Sequence, residues 1–247
     1  MRVAAGTRGV PPVQRFTVRR FYMNIAIDGP AGAGKSTIAR RVAAVRGAVY
    51  VDTGAMYRAM ALLMIKKGID PQDSAAIEAA SEKADIGIEY RDGEQRVLLN
   101  GEDVTGELRT EAVAAMASTT SANAEVRRKL VLLQQELAKK TDVVMDGRDI
   151  GTVVLPDAEV KIYLTASSRA RAERRYLETV QKAAPGEEIP SIEEISRKIE
   201  ERDYQDMHRE NSPLRKAEGA YLVDSSDMTI QEVVDRILEI CEEVSNK

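Results

Sequence analysis

The 247-residue chain has one cysteine, Cys241, and one histidine, His208. A single cysteine excludes a disulfide within the chain and fits a reducing compartment. A single histidine leaves no histidine-rich metal cluster, and nothing pairs with it as a nucleophile–base set; it reads as a surface residue on the segment carrying Arg202 and Arg209. No stretch approaches the roughly 20 continuous apolar residues of a membrane helix, so no membrane partner is expected. Internal repeats and low-complexity tracts are missing too. The net charge of −4 exerts no overall attraction on nucleic acid, and no nucleic-acid partner is expected. Residues 1–22 lack acids altogether and hold five arginines, Arg2, Arg8, Arg15, Arg19 and Arg20. Such a stretch can mark an organellar transit peptide, but this one contains Pro11-Pro12 and shows no amphipathic period. The expectation is a disordered basic extension, or an over-long start with Met23 as the true first residue, ahead of a domain over 23–247.

What is present is a large α/β domain. Apolar residues make up 43% of the chain, enough for a sizeable core. Five segments read as strands: 24–28, 48–52, 142–146, 160–165 and 220–224. Continuous apolar runs such as Val143-Val144-Met145 suit a parallel sheet buried on both faces. Helical patterns lie between them. Ile38, Val42 and Val45 recur at helical spacing until Gly47, and Val234, Ile237, Leu238, Cys241 and Val244 form one stripe. Cys241 is thus a small core residue. Two regions break the rhythm. Ile86, Ile88 and Tyr90 alternate, Asp92-Gly93 supplies a turn, and Val97 and Leu99 resume the alternation. This hairpin sits in an insertion of about 80–125 that is expected to stand off the sheet. The second region, about 168–212, is rich in arginine and interrupted at Ala184-Pro185-Gly186, with a capping box from Ser191 and Glu194. It reads as a helical lid.

The strongest motif is Gly29-Pro-Ala-Gly-Ala-Gly-Lys-Ser36, which follows a predicted strand and opens a predicted helix. Its glycines let backbone N–H groups curl around phosphate oxygens, and the helix N-terminus adds unpaired donors and a positive dipole end. The expected nucleotide-binding residues are Gly29, Pro30, Ala31, Gly32, Ala33, Gly34, Lys35, Ser36 and Thr37. Lys35 supplies a point charge to the β- and γ-phosphates, and the Ser36 hydroxyl is placed to ligate Mg²⁺. The loop specifies a nucleoside triphosphate but not the acceptor, because GTPases, ATPases and small-molecule kinases all use it. The base-reading segment N-K-x-D of a GTPase is absent. Asp146, after an apolar strand, suits an ATPase and keeps that alternative open.

Asp52-Thr-Gly-Ala-Met-Tyr-Arg58 and Asp146-Gly-Arg-Asp-Ile-Gly-Thr152 both follow predicted strands, where open α/β sheets bind ligands. Each carries an arginine suited to bidentate phosphate contact. A second phosphate site beside the first implies a phosphorylated acceptor and favours a nucleotide kinase over a hydrolase. With Asn100-Gly-Glu-Asp-Val-Thr-Gly-Glu-Leu-Arg-Thr110, the continuation through Val153-Val-Leu-Pro-Asp157, and Glu201-Arg-Asp-Tyr-Gln-Asp-Met-His-Arg209, these segments resemble the bacterial type of cytidylate kinase, over essentially all of 24–240.

The resemblance implies a P-loop three-layer fold with a five-stranded parallel sheet, a small inserted domain at the nucleoside monophosphate site, and a helical lid. It implies transfer of the γ-phosphoryl group of ATP to CMP or dCMP, with Mg²⁺. Cytosine would be read by Ser118, Arg127 and Asp149, phosphate gripped by Arg58, Arg148 and Arg209, and the sugar held by Arg202 and Asp206. Thr53 keeps a hydroxyl near the monophosphate site. Positions 202, 206 and 209 share a helical face. Arg171, Arg174 and Arg175 share another, which either closes over the transferring phosphoryl group or merely covers a helix with charge; Arg174 is assigned to catalysis with Lys35 and Arg148. A uridylate- or adenylate-type kinase and a non-catalytic ATP-binding module remain alternatives. A cytoplasmic monomer is expected, because one chain supplies both sites.

Overall fold

A computed structural model describes residues 23–246 except 92, 185 and 187. The basic segment 1–22, the turn residue Asp92 and Pro185 of the interrupted region therefore lie outside the described residues. In chain order the elements begin with β1 (Asn24–Asp28), α1 (Lys35–Arg46), β2 (Val49–Asp52), α2 (Thr53–Lys66) and α3 (Ser74–Lys83). Then come β3 (Ile86–Arg91), β4 (Glu94–Leu99), β5 (Glu102–Asp103), α4 (Glu111–Thr120) and α5 (Ala124–Ala138). The second half holds β6 (Val143–Gly147), β7 (Val160–Thr165), α6 (Ser168–Lys182), α7 (Ile192–His208), β8 (Tyr221–Asp224) and α8 (Ile230–Ser245).

The main sheet has the order β2-β6-β1-β7-β8, and every pairing in it is parallel. Strand alternation sends side chains to opposite faces. Ala26, Val51, Val143 and Met145 join one core with α2, α4 and α5, while Ile25, Ile27, Val144, Ile162 and Leu164 join another with α1 and α8. That division produces three layers, as the apolar runs predicted. On α8, Val234, Ile237 and Cys241 are buried, and Leu238 and Val244 pack at the margin of the same core.

The predicted hairpin forms, and with β5 it makes its own antiparallel sheet, β3-β4-β5. Its core is nonetheless shared: Ile86, Val97, Leu99, Val113 and Ala117 belong to the same buried cluster as Val51 and Met145. The reason lies in α2, whose residues from Ala59 to Met64 are all buried. A helix apolar on nearly all sides needs cover on its outer face as well, and β4 and α4 supply it. The hairpin also seals the free edge of β2. The Tyr90 hydroxyl donates to the Tyr50 carbonyl at 2.8 Å. Gln95 accepts from the Asp52 N–H at 2.8 Å and donates to its carbonyl at 3.3 Å.

Gly29 leaves β1 with φ +153°, and a Cβ built there would lie 1.9 Å from the Leu164 carbonyl oxygen. Backbone cannot yield as a flexible side chain does. Gly29→Ala should therefore cost about 3 kcal/mol of stability or more, read as a lowered urea midpoint. Gly34→Ala is the control: its φ of +85° is strained, but its Cβ meets nothing within 4 Å, so its cost should stay near about 1–2 kcal/mol.

Candidate active site

The ends of β1, β2 and β6 open into one cleft of about 440 Å³. One end is the phosphate loop. Gly34, in the left-handed conformation, starts α1. Lys35 is buried, and its ammonium donates to the Pro30 carbonyl at 2.7 Å. Burial, and next the neighbouring Arg148 cation, lower its pKa to about 7. The Ser36 hydroxyl donates to Asp146 Oδ2 at 2.8 Å, and the Tyr50 hydroxyl donates to Oδ1 at 2.9 Å. Asp146 is buried; desolvation, then the nearby Asp52 charge, push its pKa up. Ser36 and Asp146 thus put two hard oxygen donors side by side, a set that fits a divalent cation completed by phosphate oxygens and water. Among the described residues no group of three or more His, Cys, Asp or Glu could hold a metal by itself.

The loop is anchored from behind. The Ala31 N–H donates to Asp203 Oδ1 at 3.1 Å, and Arg171 donates to the Ala31 carbonyl at 2.9 Å. Arg171 and Asp203 pair at 2.5 Å with both side chains buried. Arg171 also donates to the Ala166 carbonyl at 2.9 Å. The bases of α6 and α7 are therefore fastened to the phosphate loop.

The other end of the cleft gathers cations. Arg58 pairs with Asp52 at 3.2 Å, and its buried Nε has no hydrogen-bond partner. Asp52 also caps α2 by accepting from the Ala55 N–H at 2.8 Å. Arg148 pairs with Asp206 at 2.8 Å. Arg202 and Arg209 line the same cleft. Arg209 donates to the Ser212 carbonyl at 2.7 Å and lies 3.6 Å from Asp149, and its Nη2 is buried without a hydrogen-bond partner. These unfilled donors beside several positive charges favour a polyanionic ligand. Thr53 is buried, and its hydroxyl donates to the Asp146 carbonyl at 2.7 Å.

Beyond the cations lies a polar pair suited to a heterocycle. Arg127 and Asp149 are both buried and bonded to each other. Arg127 also donates to Ser212 Oγ and to the Ser121 carbonyl, each at 3.1 Å. Its guanidinium lies 5.4 Å from the centre of the Tyr57 ring. Tyr57 lines the cleft, and its hydroxyl is buried without a hydrogen-bond partner. Ser118 lines the same end from α4.

The three arginines of α6 part company. Arg171 is the buried anchor of the loop. Arg174 does not line the cleft; it donates to the hydroxyl and carbonyl oxygens of Ser225. Arg175 lines the cleft and pairs with Glu178 at 3.3 Å. Helical spacing groups all three on one face, but neighbouring elements decide where each side chain goes. His208 is exposed on α7, stacked on Tyr204 with ring centres 4.0 Å apart. Tyr50, Tyr57 and the pairing of Asp146 with Ser36 did not stand out in the sequence as site features. The only signal was the carboxylate closing an apolar strand.

Comparison with known proteins gives the family. The family model described as cytidylate kinase matches residues 25–243. The cytidylate kinase of Caldicellulosiruptor bescii is 50% identical over 218 residues, 88% of this chain and 95% of the relative. That of Bacillus licheniformis is 46% identical over 224 residues, covering 90% and 97%. A solved shikimate kinase from Acinetobacter baumannii, in complex with shikimate, is 18% identical with a TM-score of 0.44, covering 92% of this chain and 95% of that one.

Proposed function

The chain belongs to the cytidylate kinase family, and from that premise we propose that it moves the γ-phosphoryl group of ATP onto CMP or dCMP across the cleft just described. The observation that supports this most is that a single cavity is lined by Lys35 and Ser36 at one end and by Arg127 and Asp149 at the other. Donor and acceptor phosphates would meet between them.

ATP would lie on the loop from Gly29 to Thr37. Mg²⁺ held at Ser36 and Asp146 would neutralise charge on the donor phosphates. Lys35 brings its ammonium to the phosphates near the bond that breaks, and their negative charge favours its ionised form. Arg58, Arg148 and Arg209 grip the acceptor phosphate, and Arg202 and Asp206 orient its sugar. The acceptor oxygen is already anionic, so no strong general base is required. Catalysis comes from alignment and charge neutralisation. The acceptor oxygen forms its bond to the γ-phosphorus as the bond to the β-phosphate oxygen breaks, and ADP leaves.

Cytosine carries an N4 amine, which a carboxylate accepts from, and N3 and O2, which a guanidinium donates to. Asp149 and Arg127, already side by side, supply that pair, with the Ser118 hydroxyl nearby. Uracil presents a carbonyl where cytosine has its amine, so its lone pairs would face those of Asp149. The insertion at about 80–125 would form the acceptor domain and the region at about 168–212 the closing lid. With Arg171 and Asp203 fixed at Ala31, closure would bend the lid beyond its base. A cytoplasmic monomer belongs to the same proposal; among the described residues no helix is long and apolar enough to cross a membrane.

A coupled ADP-release assay with CMP, dCMP, UMP and AMP tests the reading. CMP and dCMP should exceed UMP and AMP in kcat/KM by about tenfold or more. Rapid ADP release without any acceptor would instead make the protein an ATPase.

A further inference from the structure

Asp28 is buried at the end of β1, directly before the phosphate loop, and has no part in the chemistry above. Its two carboxylate oxygens are used separately. Oδ1 accepts the Ile150 N–H at 2.8 Å, and Oδ2 accepts the Gly151 N–H at 2.7 Å. Those amides open a turn of π-type helix, Ile150–Val154, that follows Arg148 and Asp149 without a break. The first N–H groups of a helical turn have no acceptor inside it, and a carboxylate facing them is well placed in the field of the turn. Lys35 and Asp149 are the charged groups nearest in effect to Asp28. Burial outweighs the two hydrogen bonds and lifts its pKa to about 6. An acid kept in so costly a place calls for a role that a neutral side chain would not fill.

We propose that Asp28 is a positioning residue: by holding both amides, it fixes Arg148 and Asp149 relative to the phosphate loop and so couples acceptor geometry to the donor site. This rests on the reading that Arg148 and Asp149 contact the acceptor. The effect should fall on the acceptor side. The phosphate loop has independent anchors in Arg171 and Asp203 at Ala31, and in the close seat of Gly29 against Leu164. For the Ile150 and Gly151 N–H groups, the hydrogen bonds are to Asp28. Asparagine keeps the shape but offers one acceptor oxygen, and its amide would turn an N–H toward an N–H.

The test is Asp28→Asn in the full chain, with kcat and KM measured for CMP and UMP at saturating ATP, and for ATP at saturating CMP. KM for CMP should rise about tenfold and the CMP-over-UMP preference should shrink, the scale of one lost charge-assisted hydrogen bond, while KM for ATP moves less than about twofold. Equal shifts for CMP and ATP, or an unchanged preference, overturn the proposal. Should Asp28→Asn fail to fold, Gly151→Ala presses on the same turn, chiefly against Ala217. Its Cβ would lie 3.4 Å from Asp28 Oδ2 and 3.2 Å from Ala217 Cβ. The same split is then required, and its absence is equally fatal. Asp149→Asn separates the two levels. A collapsed preference there beside an unaffected Asp28→Asn leaves the base-reading role standing and removes only the positioning role. An intact preference in Asp149→Asn removes the base-reading role itself.

Discussion

Lys35→Ala should lower kcat by about a thousandfold, the scale of removing a preorganised charge from developing phosphoryl charge. The residue is buried at the mouth of α1, and the Pro30 carbonyl holds its ammonium at 2.7 Å. Among the described residues that line the cleft, the other cations are arginines, and Arg148, Arg209 and Arg58 are engaged with Asp206, Asp149 and Asp52. The ionised form of Lys35 is costly in the folded protein, since burial and then Arg148 hold its pKa down to about 7. Removing that charge should consequently leave the unfolding midpoint close to that of the parent protein. Single-turnover rates at saturating ATP and CMP, paired with a urea melt, separate the outcomes. A kcat within about tenfold of the parent would sink the mechanism. A large loss of both rate and stability would reassign Lys35 to a structural role.

The second large effect concerns the base. Asp149→Ala should raise KM for CMP far more than KM for ATP, and Asp149→Asn is the cleaner version of the experiment. Truncation to alanine would leave Arg127 buried beside an empty space, and breaking a buried pair in this way costs about 3–5 kcal/mol in general. Asparagine retains the volume but reverses half of the hydrogen-bonding sense. The preference for CMP over UMP should drop by about 1–3 kcal/mol, or about 5- to 150-fold. Equal changes in KM for both nucleotides would argue that Asp149 only braces Arg127 and Arg209.

These two residues were open to recognition before any tertiary contact was known. Lys35 sits in a contiguous motif whose chemistry depends on residues touching their chain neighbours. Asp149 sits in a segment specific enough to carry a resemblance. Arg174 shows where such reasoning stops. Its spacing from Arg171 and Arg175 placed it on a promising face, yet Ser225 holds it away from the cleft and Arg175 lines the wall. Spacing along a helix sets which side a residue faces, not what stands opposite.

The hairpin makes the same point. Alternation and the Asp92-Gly93 turn announced it, but its docking on β2 depends on Tyr90 and Gln95 meeting backbone more than 39 residues away. The phosphate loop, the five parallel strands, the Ser191–Glu194 capping box and the family were legible along the chain, because each is written in adjacent residues or in one period. It takes the folded chain to bring Asp28 onto Ile150 and Gly151, to fasten the loop from behind with Arg171 and Asp203, and to stand Asp146 against Ser36. Those contacts join residues 32 to 172 positions apart. Local propensity cannot encode them; they follow from the packing that brings β1, β6, α6 and α7 together at the phosphate loop, which sets where buried charges must find their partners.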